Sequence, residues 1–322
     1  MNLLAPIGKL YECVIDARNA LYGGGTLRSF SLGARTISVG NLTTGGTGKT
    51  PIVRLVAEIL AGKGEKVCIL TRGYGRSSPN KRVLVSDGHD VLVDAAAGGD
   101  EPVELAASLL GKAVIIADRD RVGAAGWARE NFDISVFVLD DGFQHRRVQR
   151  DVDIVCIDAT KPFGNGLTLP AGSLRESIMG LNRANAVIVT RANLVDDTEE
   201  IVNAIRRINA NIPIYLSRNE LAKVVTLDDV LYRKPGDAGS GGASVGWPIL
   251  HPENGHPGVA AFCGLGNPDP FFTQVKNLAE KHNASVEWTK KFADHHRYSQ
   301  GDINALAQRA QETSVSAFIT TS

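Results

Sequence analysis

Lys49 and Thr50 follow a run of glycines in the stretch VGNLTTGGTGKTP, from Val39 to Pro51. An ammonium and a hydroxyl behind a loop nearly free of bulky side chains suit a nucleoside triphosphate. Gly45, Gly46 and Gly48 let the backbone curl and turn its N–H groups inward. Lys49 reaches the β- and γ-phosphates, and Thr50 offers a hydroxyl to Mg²⁺. Thr43, Thr44 and Thr47 complete the candidate nucleotide loop. The strict pattern G-x-x-x-x-G-K-[ST] asks for glycine at position 43, where this chain has threonine. A structural glycine-rich turn is the alternative.

Two carboxylates, Asp140 and Asp141, close the apolar run ISVFVLDDGFQHRR. An acid at the end of a core strand completes the Mg²⁺ site of a phosphate-loop fold, and ligands of open α/β sheets gather at such ends. An ordinary polar strand end looks the same. His145, Arg146 and Arg147 come next, as phosphate ligands or as a solvated basic turn. Asp100 stands in GGDEP, where two glycines free the backbone and Glu101-Pro102 opens a helix. By residue type alone Asp100 is a helix N-cap. Glu101 joins Thr50, Asp140 and Asp141 as a candidate metal ligand.

The surrounding elements fit a phosphate cradle. RTISV is a buried-type strand. PIVRLVAEIL is a helix whose stripe is Ile52, Val53, Leu55, Val56, Ile59 and Leu60, with Pro51 in its first turn and Gly62 and Gly64 able to end it. The loop therefore lies between a strand and a helix N-terminus. KVCILT, KAVIIAD, DISVFVLDD, DVDIVCID and NAVIVTR are further compact apolar runs separated by amphipathic stretches. This alternation predicts an α/β fold of the P-loop NTPase type, a mainly parallel sheet flanked by helices. Residues 35–217 form that domain. Residues 218–258, dense in Gly and Pro, read as a linker or insertion, and 259–322 as a second, smaller α/β lobe.

The chain has 322 residues, 43% of them apolar, with 35 basic and 35 acidic side chains, so it does not advertise nucleic-acid binding. Cys13, Cys68, Cys156 and Cys263 make no C-x-x-C pair, which disfavours structural zinc. Cys68 and Cys156 read as buried small hydrophobes. No signal peptide is expected, and no apolar run comes near the ~18 residues of a membrane span. Within residues 1–34, however, Leu3, Leu4, Ile7, Leu10, Tyr11, Val14, Ile15, Arg18, Leu21 and Tyr22 follow helical spacing. Such a helix either rests on its own core or lies in a bilayer interface.

Together these blocks resemble the tetraacyldisaccharide 4'-kinases, the lipid A 4'-kinases. The matching stretches are VGNLTTGGTGKTP, TRGYGR (Thr71 to Arg76), GGDEPVEL, LDDGFQHRR, FGNGLTLPAGSLRE (Phe163 to Glu176) and FADHH (Phe292 to His296), in one order from residue 36 to about 300. The family's phosphate loop is itself irregular at its first position. The resemblance implies that ATP phosphorylates the 4'-hydroxyl of a lipid A disaccharide precursor at the cytoplasmic face of the inner membrane. It implies a peripheral enzyme without a spanning helix, with no protein partner inferred. It makes Asp100 the catalytic base, assisted by His295. His295 directly follows Asp294 in the motif's A-D-H order, so His296 is the weaker candidate, and neighbours on a strand would point to opposite faces, which disfavours shared metal ligation by the two. It also strengthens the interfacial reading of the first helix. Closure of the small lobe over the loop, with the Gly/Pro-rich segment as hinge, is the accompanying expectation. Arg72, Arg76 and Arg175 are candidates to meet phosphates.

The 233–258 region is longer than the family's usual connection. Family members continue past a strand like AFITT with Thr-Glu-Lys-Asp-Ala-Val, whereas this chain reads SAFITTS, so the small lobe is expected to lack an edge element. The rival class is a P-loop GTPase or ATPase switch or a metal-centre assembly protein. A GTPase needs N-K-x-D, and the nearest stretch, Asn193-Leu194-Val195-Asp196, has no lysine.

Overall fold

The computed structural model describes residues 3–218, 258–293, 296–313 and 315–321. The chain divides into two units, Met1–Ser217 and Arg218–Ser322. The expected insertion lies almost wholly outside the described residues, as does His295.

The first unit is built on strands β1 (Arg35–Asn41), β2 (Val67–Thr71), β3 (Val83–Ser86), β4 (Ala113–Ala117), β5 (Val136–Asp140), β6 (Val152–Asp158), β7 (Ala186–Thr190) and β8 (Ile214–Leu216). They form one sheet in the order β3-β4-β2-β5-β1-β6-β7-β8. Every pairing is parallel except that of β3 with β4. β2, β4 and β5 are buried at every residue, the signature of strands covered on both faces. β1 lies at the centre between β5 and β6, with Val39 opposite Asp140.

Helices supply the two covers. α2 (Lys49–Gly62) and α4 (Asp100–Ser108), which follows the single turn α3 (Ala95–Gly98), pack on one face with Val39, Ile69, Ile115 and Val138. α5 (Arg121–Asn131) covers Cys68, Leu70, Ile116 and Phe137 on the other. α6 (Glu199–Ile208) joins a third cluster under β6 and β7. The α2 stripe differs from expectation. Ile52, Val53, Ala57 and Leu60 are buried, while Leu55 and Ile59 are about half exposed, because the helix meets the sheet along the 53/57/60 line. All four cysteines are free thiols; Cys68, Cys156 and Cys263 are buried and Cys13 is exposed.

The second unit contains β9 (Gly258–Cys263), α7 (Asp269–Lys281), β10 (Ser285–Lys291), α8 (Gln300–Glu312) and β11 (Val315–Thr320). Its three strands are parallel in the order β10-β9-β11, and central β9 is wholly buried. A capping box starts α8: Ser299 accepts from the Asp302 amide, and Asp302 accepts from the Ser299 amide. Asp302 also meets His296 Nε2 at 3.1 Å, and that ring stacks on Phe292 at 4.7 Å. His296 follows the end of β10 and is not on a strand, so the opposite-faces expectation does not apply to it.

Ahead of β1 comes α1 (Ala5–Gly23). No helix among the described residues is long and apolar enough to cross a membrane. Gly8 is the one buried residue of α1, and a Cβ there would lie 2.9 Å from Ala171 Cβ and 3.0 Å from the Thr168 carbonyl. Thr168 Oγ1 donates to the Gly8 carbonyl at 2.7 Å. Tyr11 donates to the Arg175 carbonyl and Asn19 to Glu176 Oε2. The side that docks is thus small and polar. Leu3, Leu4, Ile7, Leu10, Val14 and Leu21 are exposed. The residues expected to form one stripe are divided between a docked side and an exposed one. Gly8→Val should force α1 off this seat at a cost of about 1–3 kcal/mol of overpacking. Hydrogen exchange of the α1 amides should rise accordingly; unchanged protection would mean the seat does not hold the helix.

Candidate active site

The glycine-rich loop leaves β1 at Asn41 and enters α2 at Lys49. Gly48, its last residue, has φ 72°, and Gly45 has φ 102°, the left-handed region that favours glycine. No heavy atom lies within 4 Å of a Cβ built at Gly45 or Gly46, so the loop crest is open. The remaining loop residues are tied down. Asn41 Nδ2 donates to the Thr43 carbonyl at 2.7 Å and to Thr47 Oγ1 at 2.9 Å. Thr190, at the end of β7, donates to the Thr47 carbonyl at 2.8 Å. Arg191 donates to the Gly46 carbonyl at 2.8 Å while paired with Asp158 at the end of β6. Thr43 and Thr44 pair with the backbone of Leu174 and Ser173. Thr43 is therefore a buried part of the frame, and the crest falls at Gly45 to Gly48.

Asp140 and Asp141 stand beside this loop. Asp140 is buried and its Oδ2 accepts from Thr71 Oγ1 at 2.9 Å. Burial, then the neighbouring Asp141, push its carboxyl above the usual carboxylate range. Burial also raises Asp141, but Lys49 and Arg175 outweigh it and hold that carboxyl below its ordinary value. Lys49 Nζ is 3.6 Å from Asp141 Oδ1, and Arg175 Nη1 reaches both Asp141 oxygens at 2.8 and 2.7 Å. Asp141 adopts φ 51°, a left-handed conformation uncommon for a side-chain-bearing residue.

Asp100 is the first residue of α4, and the N-cap is Gly99 at φ 94°. The N-cap expectation for Asp100 is thus replaced. Asp94 caps the preceding turn, accepting from the Ala97 amide. Asp100 and Glu101 are both exposed on this first helical turn. The TRGYGR block explains their place. A Cβ at Gly73 would lie 2.9 Å from the Gly98 carbonyl, and one at Gly99 would lie 2.8 Å from the Tyr74 carbonyl. This backbone-on-backbone contact sets the start of α4 against the turn leaving β2, whose last residue, Thr71, holds Asp140. Arg72 is exposed, donates to Tyr74 and exerts a field on Asp141. Arg76 is no phosphate ligand: it is buried, and its guanidinium donates to the Ala117 and Pro79 carbonyls at 2.7 Å.

Several participants escaped the sequence reading. Glu176 is 1% exposed and accepts from Asn19, Gln144 and Arg183. Gln144 also donates to the Asn41 carbonyl at the root of the loop. Arg121 is buried, donates to the Asp118 and Asp140 carbonyls, and burial lowers its pKa to about 10. Their only signal was a charged or amide residue within or beside a glycine-rich block. The block Phe163 to Glu176 itself bridges α1 and the loop through Thr168, Leu174 and Arg175.

The donor set suits a nucleotide-bound Mg²⁺ better than a resident protein-held ion. Among the described residues no group of three His, Cys, Asp or Glu side chains is arranged to hold a metal. Mg²⁺ shared with phosphates needs only one or two carboxylates. A buried Asp140 whose ionised form is disfavoured beside Asp141 is a group that a divalent cation would relieve. Thr50, in the first turn of α2, supplies a hydroxyl. His145 is a neutral ring: burial, then Arg121 and Arg72, push its pKa down to about 4, so it brings no charge to a phosphate. Its Nε2 has no hydrogen-bond partner among the described residues.

The family model of tetraacyldisaccharide-1-P 4'-kinase matches residues 1–322. The tetraacyldisaccharide 4'-kinase of Geobacter metallireducens is 36% identical over 321 residues, covering 100% of this chain and 86% of that protein. That of Halothermothrix orenii is 35% identical, covering 99% and 80%. A crystal structure of LpxK from Aquifex aeolicus in complex with ATP superposes with a TM-score of 0.68 at 28% identity, over 99% of this chain and 87% of that one.

The state of His145 is testable. Its folded pKa lies below the 6.5 of a free ring, so the unfolded chain binds the extra proton first as pH falls. Its contribution is complete above about pH 6.5 and declines toward pH 4. His145→Gln should flatten the loss of stability over that window, measured by denaturant unfolding against the parent chain. Parallel stability curves would show that the ring is not held neutral.

Proposed function

The chain belongs to the tetraacyldisaccharide-1-P 4'-kinase family, and from that premise we propose how its residues share the reaction. The protein is a lipid kinase of lipid A biosynthesis. ATP is the phosphoryl donor, and the 4'-hydroxyl of a tetraacyldisaccharide 1-phosphate is the acceptor. The observation that carries the assignment of roles is the register of β1 and β5. With Val39 opposite Asp140, the open glycine crest and the acidic pair emerge at one sheet edge.

Phosphoryl transfer asks for positioning, neutralised charge and a group to take the alcohol's proton. The amides of Gly45 to Gly48 and the Lys49 ammonium hold the triphosphate, adding the positive end of the α2 dipole. Thr50, with Asp140 or Asp141, would hold Mg²⁺, which when bound neutralises phosphate charge. Glu101 remains a further candidate on the first turn of α4. Arg175 keeps Asp141 ionised and fixed. Asp100 takes the acceptor proton, its backbone set by the Gly73–Gly98–Gly99 contact. His295 keeps the assisting role given by its FADHH motif. The exposed side of α1 lies in the interface of the bilayer that holds the acceptor, at the cytoplasmic face of the inner membrane, where ATP is available. A GTP-dependent switch is disfavoured, since Asn193 to Asp196 lacks the lysine of a guanine-reading motif.

Transfer of label from ATP to the disaccharide 1-phosphate lipid tests the roles. Asp100→Asn should lower kcat by about 10²- to 10⁴-fold with little change in the KM for ATP. Lys49→Ala should abolish transfer, and His295→Asn should lower kcat. Full turnover by Asp100→Asn would remove that carboxylate from proton transfer, and a preference for GTP would favour the switch.

A further inference from the structure

The exposed apolar side of α1 has an arginine-rich border. On a wheel of 100° per residue, Leu3, Ile7, Leu10, Val14 and Leu21 span a narrow arc, and Arg18 lies about 60° from Leu21. Its guanidinium sits 5.4 Å from the centre of the Tyr22 ring, and Arg146 approaches the same ring at 5.9 Å. The segment after α1 doubles back along the turn after β5: Phe30 bridges Val148, and its amide donates to the Arg147 carbonyl. This brings Arg28 and Arg147 over the Phe30 ring, each at 5.4 Å. Four guanidiniums thus surround two aromatic rings at the C-terminal end of the helix.

Their charge is poorly compensated. Arg28 and Arg146 make no hydrogen bond or ion pair through their side chains among the described residues, and Arg18 reaches only the Gln144 carbonyl, at 3.4 Å. Arg147 meets Asp120 at 3.4 Å, but both side chains are about half exposed, so the pair is screened. The acids acting most on Arg146 are Asp153 and Glu176, already held by Arg150 and Arg183 at 2.8 Å. Lys9, Glu12 and Asp16 lie on the far flank of the helix, so the positive charge is one-sided.

An apolar strip edged by unneutralised arginines fits a surface that offers hydrocarbon beneath a layer of phosphate. We propose that Arg18, Arg28, Arg146 and Arg147 bind the head groups of anionic phospholipids, so that the protein docks selectively on negatively charged bilayers. The proposal rests on the interfacial reading of α1 and adds the lipid class. The arginines bind bulk lipid phosphate and act without the acceptor substrate.

Sedimentation of the full chain with vesicles of phosphatidylcholine, or of phosphatidylcholine with phosphatidylglycerol, tests this without substrate or ATP. The parent should bind the anionic vesicles more tightly, and the difference should shrink as salt rises. Arg28→Gln with Arg146→Gln should weaken binding to anionic vesicles by about fivefold per charge removed, leaving binding to neutral vesicles unchanged. Arg28→Glu, a single exposed change, gives the same reading if the double variant fails to fold. Equal binding of the parent to both vesicle types, or parent-like binding by the arginine variants, overturns the proposal. Leu10→Ser with Val14→Ser should weaken binding to both vesicle types. If it does not, the interfacial reading of α1 falls, whatever the arginines do.

Discussion

Two adjacent carboxylates at the end of a buried strand lose their hydration and repel each other, and the surrounding chain is organised to answer that cost. Lys49 and Arg175 bracket Asp141, Thr71 donates to Asp140, and Arg121 holds the Asp140 carbonyl. Each comes from a different segment: the start of α2, the block before residue 176, the end of β2 and the start of α5. Satisfying one strand end therefore fixes the relative positions of four others. The nucleotide loop gains its shape from the same logic, since Asn41, Thr190 and Arg191 occupy its inward carbonyls and leave the glycine crest outward.

The parallel sheet makes this economical. Five neighbouring strands deliver Thr71, Asp140, the loop, Asp158 and Thr190 to a common edge, because parallel strands all end on the same side. No long excursion of chain is needed to gather the groups, and this edge inherits the rigidity of the most buried part of the first unit.

Much of this was legible in the sequence, for reasons that also mark the boundary. Strands buried on both faces are continuous apolar runs, so the β1, β2, β4, β5, β6 and β7 segments stood out, as did the strand–loop–helix setting of Lys49. The edge strands β3 and β8 are short and partly exposed, and they gave no such run. Periodicity found α1 and α2 but could not say which side faces the body. In α2 it included Leu55 and Ile59, which point outward. In α1 it merged a polar docking side with an apolar outer one, because Gly8 is invisible to a hydropathy pattern. Arg76 and Arg175 looked alike in sequence, yet one is buried on carbonyls and the other pairs with Asp141. Side-chain direction in irregular segments depends on contacts far along the chain, which spacing does not encode.

One wire through the molecule has a practical side. Asn19 and Tyr11 on α1 are bonded to Glu176 and Arg175, which in turn reach the loop root through Gln144 and the acidic pair through Asp141. A recombinant version trimmed of its first two dozen residues to improve handling would shed more than the exposed apolar side of α1. It would open Glu176 to water, strip a donor from it and loosen the backbone that aims Arg175, so its turnover would understate that of the intact enzyme even on fully dispersed substrate.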